Sequence, residues 1–357
     1  MSLPFLPWWH RVLPALWQGH GAMVRLLTPL SRLYGMAERR ARAHALAHPE
    51  TPRLPVPVLV IGNVVAGGAG KTPTTIAVAQ YFHSLGVPVG IVSRGYGRSP
   101  KAPEMVVVHA DSDAMTAGDE PVLIHLRTGA PVVVCANRTQ AGHTLLRLHP
   151  QVRLILCDDG LQHHALQRDG EICVMDERGI GNGLLLPAGP LREPWPRRVD
   201  MMLYTAPPTT PVPVVPGQAV YHSRRTLHAQ AMRANGTTCP LAHWRDSGQP
   251  VIAVAGIAQP ERFFSMLEQQ GLSMAQRHAL PDHVGQDALA SLARQWMSTS
   301  LPVLCTEKDA VKLWDVDPSA WAVPLVLEPE KAFFAALNAW WLSHAAHPGR
   351  AAAPSVP

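Results

Sequence analysis

The sequence has no long run of apolar residues. Although 47% of its 357 residues are hydrophobic, no window reaches the roughly 18 uninterrupted apolar residues that a membrane-spanning helix requires. Charged residues make up only 16% of the chain, and lysine occurs five times. A chain of this length and composition can bury a sizeable core, and its length suggests two domains.

Cysteine is too scarce and too scattered for a disulfide framework. The five cysteines are odd in number, and four of them end or interrupt apolar runs such as the one at 131–135. This distribution is typical of buried thiols in a reducing compartment. The pattern therefore favours neither structural disulfides nor a cysteine-ligated metal cluster.

Most of the chain also lacks an excess of basic charge. Through Arg53, seven arginines stand against two glutamates, and the remainder holds 24 basic and 24 acidic residues. The net charge of +5 thus resides in the N-terminal segment. Because a nucleic-acid-binding protein is expected to carry a basic face on its folded core, we predict that this protein binds no nucleic acid.

The first 50 residues are rich in tryptophan, leucine and arginine. Trp8, Trp9 and Trp17 lie among leucines, and arginines such as Arg25 and Arg32 interrupt the sequence. This composition suits a helix in a membrane interface, and an amphipathic helix packed on the protein's own core is the alternative. A cleavable signal peptide fits poorly, because no basic leader precedes a compact apolar stretch. Four prolines predict that any helix here is short or broken.

The run from Ile61 to Pro73, IGNVVAGGAGKTP, is the most informative stretch of the chain. It follows an apolar segment and precedes an apolar-periodic one, which gives the order strand, glycine loop, Lys-Thr, helix. Glycines let successive backbone N–H groups turn toward one point, and the helix N-terminus adds partial positive charge there. The strict pattern has glycine where this chain has Val65, so a glycine-rich turn with a chance Lys-Thr is the alternative.

We therefore predict a nucleoside triphosphate site in this loop. Lys71 would reach the β- and γ-phosphates, and the Thr72 hydroxyl would complete a Mg²⁺ shell. The predicted phosphate-binding residues are Gly67, Gly68, Ala69, Gly70, Lys71, Thr72 and Pro73.

A second apolar strand ends in the carboxylates of Asp158 and Asp159. In an open α/β sheet, ligands lie at the carboxyl ends of the strands. An acid at that place beside a phosphate loop can hold Mg²⁺ directly or through water. The alternative is a strand-ending Asp-Asp-Gly turn of the kind common in solvated loops.

Two other polar segments have ordinary explanations when each is taken alone. Arg94 and Arg98 lie in a glycine-rich loop after another strand, where they could clamp phosphate oxygens or form a basic surface turn. Asp119 and Glu120 open a helix-like stretch. Two acids at a helix start are typical of a cap that complements the helix dipole, and on local evidence the cap is the better explanation.

Past residue 55, apolar runs alternate with helix-like segments, which implies a mostly parallel sheet with helices on both faces. We predict an α/β fold of the P-loop NTPase type, with an N-terminal interfacial helix and a smaller C-terminal α/β domain. A proline-rich stretch marks the boundary. The predicted parts are a membrane-interface segment at 1–50, a P-loop domain at 51–205, a linker at 206–217, the smaller domain at 218–345 and a disordered tail at 346–357.

Together, these segments resemble the tetraacyldisaccharide 4'-kinase family, the lipid A 4'-kinases of Gram-negative bacteria. The matching segments occur in the family's order and cover most of the folded chain: 62–73, 93–98, 118–121, 158–163, 188–193, 281–283 and 306–312. The chain departs from the family at Ala69, where threonine or serine is common, and at Ala258, where glycine is common. Both departures are conservative in size.

The resemblance implies that ATP and Mg²⁺ are used to phosphorylate the 4'-hydroxyl of a lipid A disaccharide 1-phosphate. The family's proposed catalytic dyad maps onto Asp119 and His283, and Lys71 joins them as a catalytic residue. The acids for Mg²⁺ map onto Glu120 and Asp158, with Thr72 as a further ligand. The remaining predicted nucleotide-binding residues are Asp159, Arg94, Arg98 and Arg192.

The resemblance also implies a peripheral or monotopic enzyme at the cytoplasmic face of the inner membrane, held through its N-terminus. No obligate protein partner is predicted. A membrane-associated P-loop NTPase that acts as a switch is the alternative from another class, and a basic nucleic-acid-binding ATPase is disfavoured by the neutral core. Release of ADP that depends on the acceptor would separate the kinase from both.

Overall fold

The fold is built on two β-sheets. The computed structural model describes residues 16–205, 215–257, 259–280 and 286–345. The predicted tail, most of the predicted linker and the first 15 residues lie outside the described residues.

The larger sheet has nine strands, of which seven come from the first 205 residues. They are β1 (Val58–Gly62), β2 (Val89–Ser93), β3 (Met105–Val108), β4 (Val132–Cys135), β5 (Leu154–Asp158), β6 (Gly170–Met175), β7 (Met201–Tyr204), β8 (Val220–Leu227) and β15 (Leu325–Pro329). Their spatial order is β15-β8-β7-β6-β1-β5-β2-β4-β3. Neighbours are parallel except at the two edges, where β3 pairs antiparallel with β4 and β15 with β8.

The smaller sheet contains the other six strands. They are β9 (Gln230–Met232), β10 (Thr238–Pro240), β11 (Val251–Ala255), β12 (Met274–Ala279), β13 (Val303–Thr306) and β14 (Trp321–Val323). The order is β10-β9-β14-β13-β11-β12, with β11 and β13 at its parallel centre.

The helices lie between and after these strands. They are α1 (Ala22–Ala47), α2 (Lys71–Ser84), α3 (Ala114–Ala117), α4 (Asp119–Thr128), α5 (Arg138–Leu148), α6 (Leu241–Ser247), α7 (Pro260–Gln269), α8 (Gln286–Met297), α9 (Glu307–Leu313) and α10 (Lys331–Ala345).

Helices cover both faces of the larger sheet. Phe82 of α2, Ile124 of α4 and Trp341 of α10 join one buried cluster, and Leu145 of α5 joins the cluster on the other face. Every residue of β1, β2, β4, β5 and β7 is buried. This explains why these strands are continuous apolar runs and do not alternate. The predicted α/β fold with a mostly parallel, doubly covered sheet is confirmed.

The larger sheet crosses the predicted division at 206–217. Strands β8 and β15 extend its edge, and α10 packs on its face through Phe333 and Leu337. The segment 218–345 therefore contributes to both sheets and does not form a separate sheet of its own. The reason is physical: β7 presents a free edge after Tyr204, and β8 pairs with it in parallel directly after the proline-rich stretch.

Helix α1 is longer than the prolines predicted. It continues for 26 residues through Pro29, which removes one N–H but lies on the exposed side. The opposite side is anchored: Ser31 Oγ donates to the carbonyl of Leu185 (2.8 Å), and Tyr34 Oη donates to the carbonyl of Arg192 (2.8 Å). The prediction of a short or broken helix was wrong for this segment, because tertiary contacts hold the turns after the proline. None of the described helices is long and apolar enough to cross a membrane.

Candidate active site

The carboxyl ends of β1 and β5 form the centre of the candidate site. The two strands are parallel neighbours, with Ile61 opposite Asp158. The glycine loop leaves β1 at this edge, and the Asp158-Asp159 pair leaves β5. The motifs that the sequence separates by almost 90 residues are therefore adjacent in the fold, as the position of ligand sites in open α/β sheets requires.

The glycine loop has the backbone of a phosphate-binding loop. Gly67 and Gly70 have φ values of 89° and 95°, in the left-handed region that favours glycine. Helix α2 begins at Lys71 directly after Gly70, and no side chain caps its N-terminus. Its first N–H groups are thus available to an anion, and the helix dipole favours negative charge at that point.

Val65, where the strict motif has glycine, has a packing role. Its side chain is buried, and its backbone forms an isolated antiparallel bridge with Leu191. Ala66 N donates to the carbonyl of Pro190 (2.8 Å), and Arg192 N donates to that of Val64 (2.8 Å). The departure therefore attaches the segment that carries Arg192 to the loop.

Two arginines that the sequence did not single out hold the loop from outside. Arg178 donates from Nη2 to the carbonyl of Gly68 (2.9 Å) and from Nη1 to that of Ala66 (3.2 Å). Arg225 donates from Nη2 to the carbonyl of Ala69 (2.7 Å). Because these carbonyls turn outward to guanidinium groups, the loop's N–H groups can turn inward. Both arginines lie more than 100 residues from the loop, and no local pattern indicates the contact.

Asp159 lies among the positive groups of the site. Its Oδ1 accepts from Arg192 Nη1 (2.8 Å), and its Oδ2 lies 3.8 Å from Lys71 Nζ. Asn63 Oδ1 accepts from both Lys71 Nζ (3.4 Å) and Arg192 Nη1 (3.1 Å). Burial alone would raise the pKa of Asp159, but the charges of Lys71 and Arg192 hold it below its ordinary value. Asp159 is therefore ionised and orients both cations at the loop.

Asp158 is in the opposite electrostatic situation. Its carboxylate is buried and accepts from Thr75 Oγ1 (3.0 Å) and, more weakly, from Ser93 Oγ (3.5 Å). Burial, with the nearby charges of Glu120 and Asp159, raises its pKa to about 7. A buried carboxylate beside two other carboxylates lacks compensating positive charge, which a divalent cation would supply. The donor set therefore fits a hard cation such as Mg²⁺.

Asp119 and Glu120 begin α4, but the structure gives Asp119 more than a capping environment. Its side chain is only 3% exposed, and its Oδ2 lies 3.4 Å from Lys312 Nζ and 3.9 Å from Lys308 Nζ. Glu120 Oε1 lies 3.3 Å from Lys308 Nζ. A solvated cap would not be enclosed by two lysines from α9, nearly 190 residues later in the chain.

The segment that supplies these lysines is itself a capped helix start. The Thr306 side chain accepts from Asp309 N, and Glu307 accepts from Arg127 Nη1 through both oxygens (2.7 and 2.6 Å). Sequence reasoning left a base-reading loop and a helix cap open for residues 306–309, and the structure has the cap. The lysines were missed because the cap residues draw attention away from the positions that face Asp119.

Arg94 and Arg98 are not brought to the phosphate loop. Arg98 donates to the carbonyls of Pro103 (2.8 Å) and Glu104 (3.0 Å), and Arg94 is exposed. No hydrogen bond or ion pair joins either arginine to another predicted site residue within the described parts of the chain. Their loop does pack beside the Asp119 segment, since a Cβ on Gly118 would lie 3.2 Å from Gly95 Cα. The predicted His283 and the departure at Ala258 lie outside the described residues.

Comparison with known proteins decides the family. The family model described as tetraacyldisaccharide-1-P 4'-kinase, LpxK, matches residues 23–341. This chain belongs to that family. The tetraacyldisaccharide 4'-kinase of Verminephrobacter eiseniae is 45% identical over 99% of this chain and 79% of its own length. That of Polaromonas naphthalenivorans is 47% identical over 92% of this chain and 94% of its own.

A solved LpxK has the same fold. The crystal structure of LpxK from Aquifex aeolicus in complex with ATP superposes with a TM-score of 0.74 at 25% identity. The match covers 89% of this chain and 99% of that one. The resemblance read from the sequence motifs is thus confirmed at the level of family, enzyme class and fold.

Proposed function

We propose that this LpxK-family enzyme transfers the γ-phosphoryl group of ATP to the 4'-hydroxyl of a tetraacylated disaccharide 1-phosphate, giving lipid IVA. The observation that carries the proposal is the convergence at one sheet edge of an uncapped phosphate loop, its Lys71, and the Arg192–Asp159 pair. Phosphoryl transfer needs mainly positioning and charge neutralisation from the protein. Lys71 and Arg192 supply positive charge where the β- and γ-phosphates would lie.

Asp119 is the group that we assign as general base. The acceptor hydroxyl loses its proton to the Asp119 carboxylate as its oxygen bonds to the γ-phosphorus, and the bond to the β,γ-bridging oxygen breaks to release ADP. Lys312 and Lys308 fix the orientation of this carboxylate. His283 as its partner stays a prediction, as do Arg94 and Arg98 as phosphate ligands.

Thr72, Glu120 and Asp158 are the residues that would hold Mg²⁺. Bound there, the cation would neutralise charge that develops on the phosphate oxygens. The electrostatic situation of Asp158 supports this assignment, because its buried carboxylate lies near Glu120 and lacks a neighbouring positive group that forms an ion pair with it in the described residues.

Helix α1 supports a location at a membrane surface. One side packs on the protein through Val24, Ser31 and Gly35, whereas Met23, Leu26, Leu30 and Leu33 are more than half exposed on the other side. Exposed Arg25 and Arg32 flank these apolar side chains. An apolar face bordered by arginines suits the interface of an anionic bilayer, and we propose that this helix holds the enzyme at the inner membrane's cytoplasmic face.

Transfer of labelled phosphate from ATP to disaccharide 1-phosphate in mixed micelles tests the proposal. We expect label in the lipid and ADP release that depends on the acceptor. Lys71→Ala should reduce transfer by about two orders of magnitude or more while the fold is retained, because it removes charge at the β,γ-phosphates. ATP hydrolysis that is unaffected by the acceptor would instead support an NTPase switch.

A further inference from the structure

A buried Glu–His–Glu cluster lies where α1 meets the site's loops. Glu38 belongs to α1, His164 follows β5, and Glu193 follows Arg192 in the connection from β6 to β7. One ligand-type atom from each side chain lies within 4.8 Å of the other two. None of the three belongs to the predicted nucleotide or Mg²⁺ site.

The carboxylates of this cluster are short of donors. Glu193 is fully buried; its Oε1 accepts from Gln162 Nε2 (2.8 Å) and Arg197 Nη1 (3.0 Å), but its Oε2 has no hydrogen-bond partner. The Glu38 side chain is nine-tenths buried, and neither of its oxygens accepts a hydrogen bond from any described residue. Buried carboxylate oxygens without donors are costly, so such groups are normally paired or bound to metal.

The neighbouring cations do not meet this need. Arg197 is shared between Glu193 Oε1 and Glu171. Arg39 and Arg42 act on Glu38 only at longer range, with no ion pair to it in the described part of the chain. The nearest polar group of another kind is the His164 imidazole, whose Nε2 lies 3.6 Å from Glu38 Oε1. Three acceptor oxygens and one imidazole nitrogen thus face a common point.

We propose that Glu38, His164 and Glu193 bind a divalent cation of the Zn²⁺ or Mn²⁺ type. Two carboxylates and an imidazole are a usual ligand set for these ions. With metal–ligand distances of about 2.0–2.2 Å, neighbouring ligand atoms in a tetrahedron lie about 3.4 Å apart. The 4.8 Å cluster therefore closes on the ion by side-chain movements of roughly 1 Å. Bound there, the ion joins α1 to the segment that carries Arg192.

Calorimetric titration of the chelator-treated full chain with Zn²⁺, without nucleotide, tests this site. We expect one saturable site, weakened more than about tenfold by Glu38→Gln and by His164→Asn. Glu50→Gln is the matched control, because Glu50 pairs with the adjacent His163 (3.3 Å) but no third ligand-type group is near it among the described residues. This control should bind Zn²⁺ as the parent chain does.

Two further measurements keep the proposal falsifiable. Circular dichroism establishes that each variant is folded, and Co²⁺ in place of Zn²⁺ should give visible absorption bands that the Glu38→Gln and His164→Asn chains lack. A folded parent chain that takes up no cation would overturn the proposal and indicate that Glu38 and Glu193 share a proton. Equal Zn²⁺ affinity in the parent and in both ligand variants would place the bound ion on other histidines and would overturn the proposal as well.

Discussion

Lys312 Nζ lies 3.4 Å from Asp119 Oδ2, and both side chains are more than nine-tenths buried. This pair connects the start of α4, beside the larger sheet, to α9 of the smaller sheet. Arg127 and Glu307 form a second link between the same two helices. The proposed general base is therefore positioned by a segment of the chain that follows it by almost 200 residues.

Replacement of Lys312 by methionine should lower both stability and turnover. Loss of one partner leaves Asp119 buried with only Lys308 nearby, and breaking such a pair costs about 3 kcal/mol of unfolding free energy. Urea denaturation and kcat at saturating ATP measure the two effects. Lys331→Met, at an exposed position that begins α10, is the control and should change neither. Unchanged kcat in a folded Lys312→Met enzyme would argue against its role in orienting the base.

Arg178→Lys should weaken ATP binding more than it slows transfer. The arginine donates to two carbonyls of the loop and, through Nε, to both oxygens of Asp176 (3.0 Å each). A lysine ammonium cannot form this planar set, so the loop loses its support and KM for ATP should rise about tenfold. Arg224→Lys, in an exposed pair with Glu328, is the matched control and should have almost no effect. Equal KM values in the two variants would contradict the positioning role.

Mg²⁺ should bind more weakly below neutral pH. The pKa of Asp158 is raised to about 7 by burial and by Glu120 and Asp159, so the carboxyl is protonated at lower pH and must lose its proton to bind the cation. The KM for Mg²⁺ should therefore rise as pH falls from 8 to 6, by about tenfold for each pH unit well below 7. In the cation-free protein the sign is opposite: native Asp158 holds its proton between its usual pKa of 3.8 and about 7, so its contribution to stability decreases as pH rises through that window.

Thermal denaturation measures both signs. The increase in Tm caused by Mg²⁺ should be larger at pH 8 than at pH 6, and Asp158→Asn should remove most of this difference. A Mg²⁺ effect that is the same at both pH values in the parent enzyme would show that Asp158 does not bind the cation.

Charged substitutions on the exposed side of α1 should release the protein from membranes. Leu26→Glu with Leu30→Glu places two carboxylates among the apolar side chains that we assign to the bilayer interface. Co-sedimentation with anionic vesicles should fall, whereas acceptor-independent ATP hydrolysis should change little. Leu126→Glu with Leu148→Glu, two exposed leucines on α4 and α5, is the matched control. Equal loss in both pairs would indicate a nonspecific effect of charge.

The sequence predicts the parts of the fold whose causes are local. Buried parallel strands are continuous apolar runs, and the glycine loop needs residues that accept positive φ, so β1, β5 and the Gly70–Lys71 junction are readable from composition and spacing. The support of the site is not readable in this way. Arg178 and Lys312 reach their partners across more than 100 residues, and neither lies in a segment whose own pattern indicates that contact.

Helix α1 and strand β8 differ from expectation for a related reason. Pro29 was weighed by its intrinsic cost, but the contacts of Ser31 and Tyr34 with the loop after β6 compensate for it. The proline-rich stretch marks an interruption of regular structure, yet the β7 edge beyond it still pairs with β8. Local breakers predict where an element ends; which sheet the chain then joins depends on the edge that is available.

The return of β15 and α10 to the larger sheet has a consequence for synthesis. Trp341 of α10 packs edge-on against Phe82 of α2, the helix that begins at the phosphate loop. Residues 325–345 leave the ribosome last among the described segments, after the strands of the smaller sheet. The nucleotide-binding half therefore cannot complete its core as an independent N-terminal unit during translation, and a chain stalled before β15 exposes the apolar face of α2 to solvent.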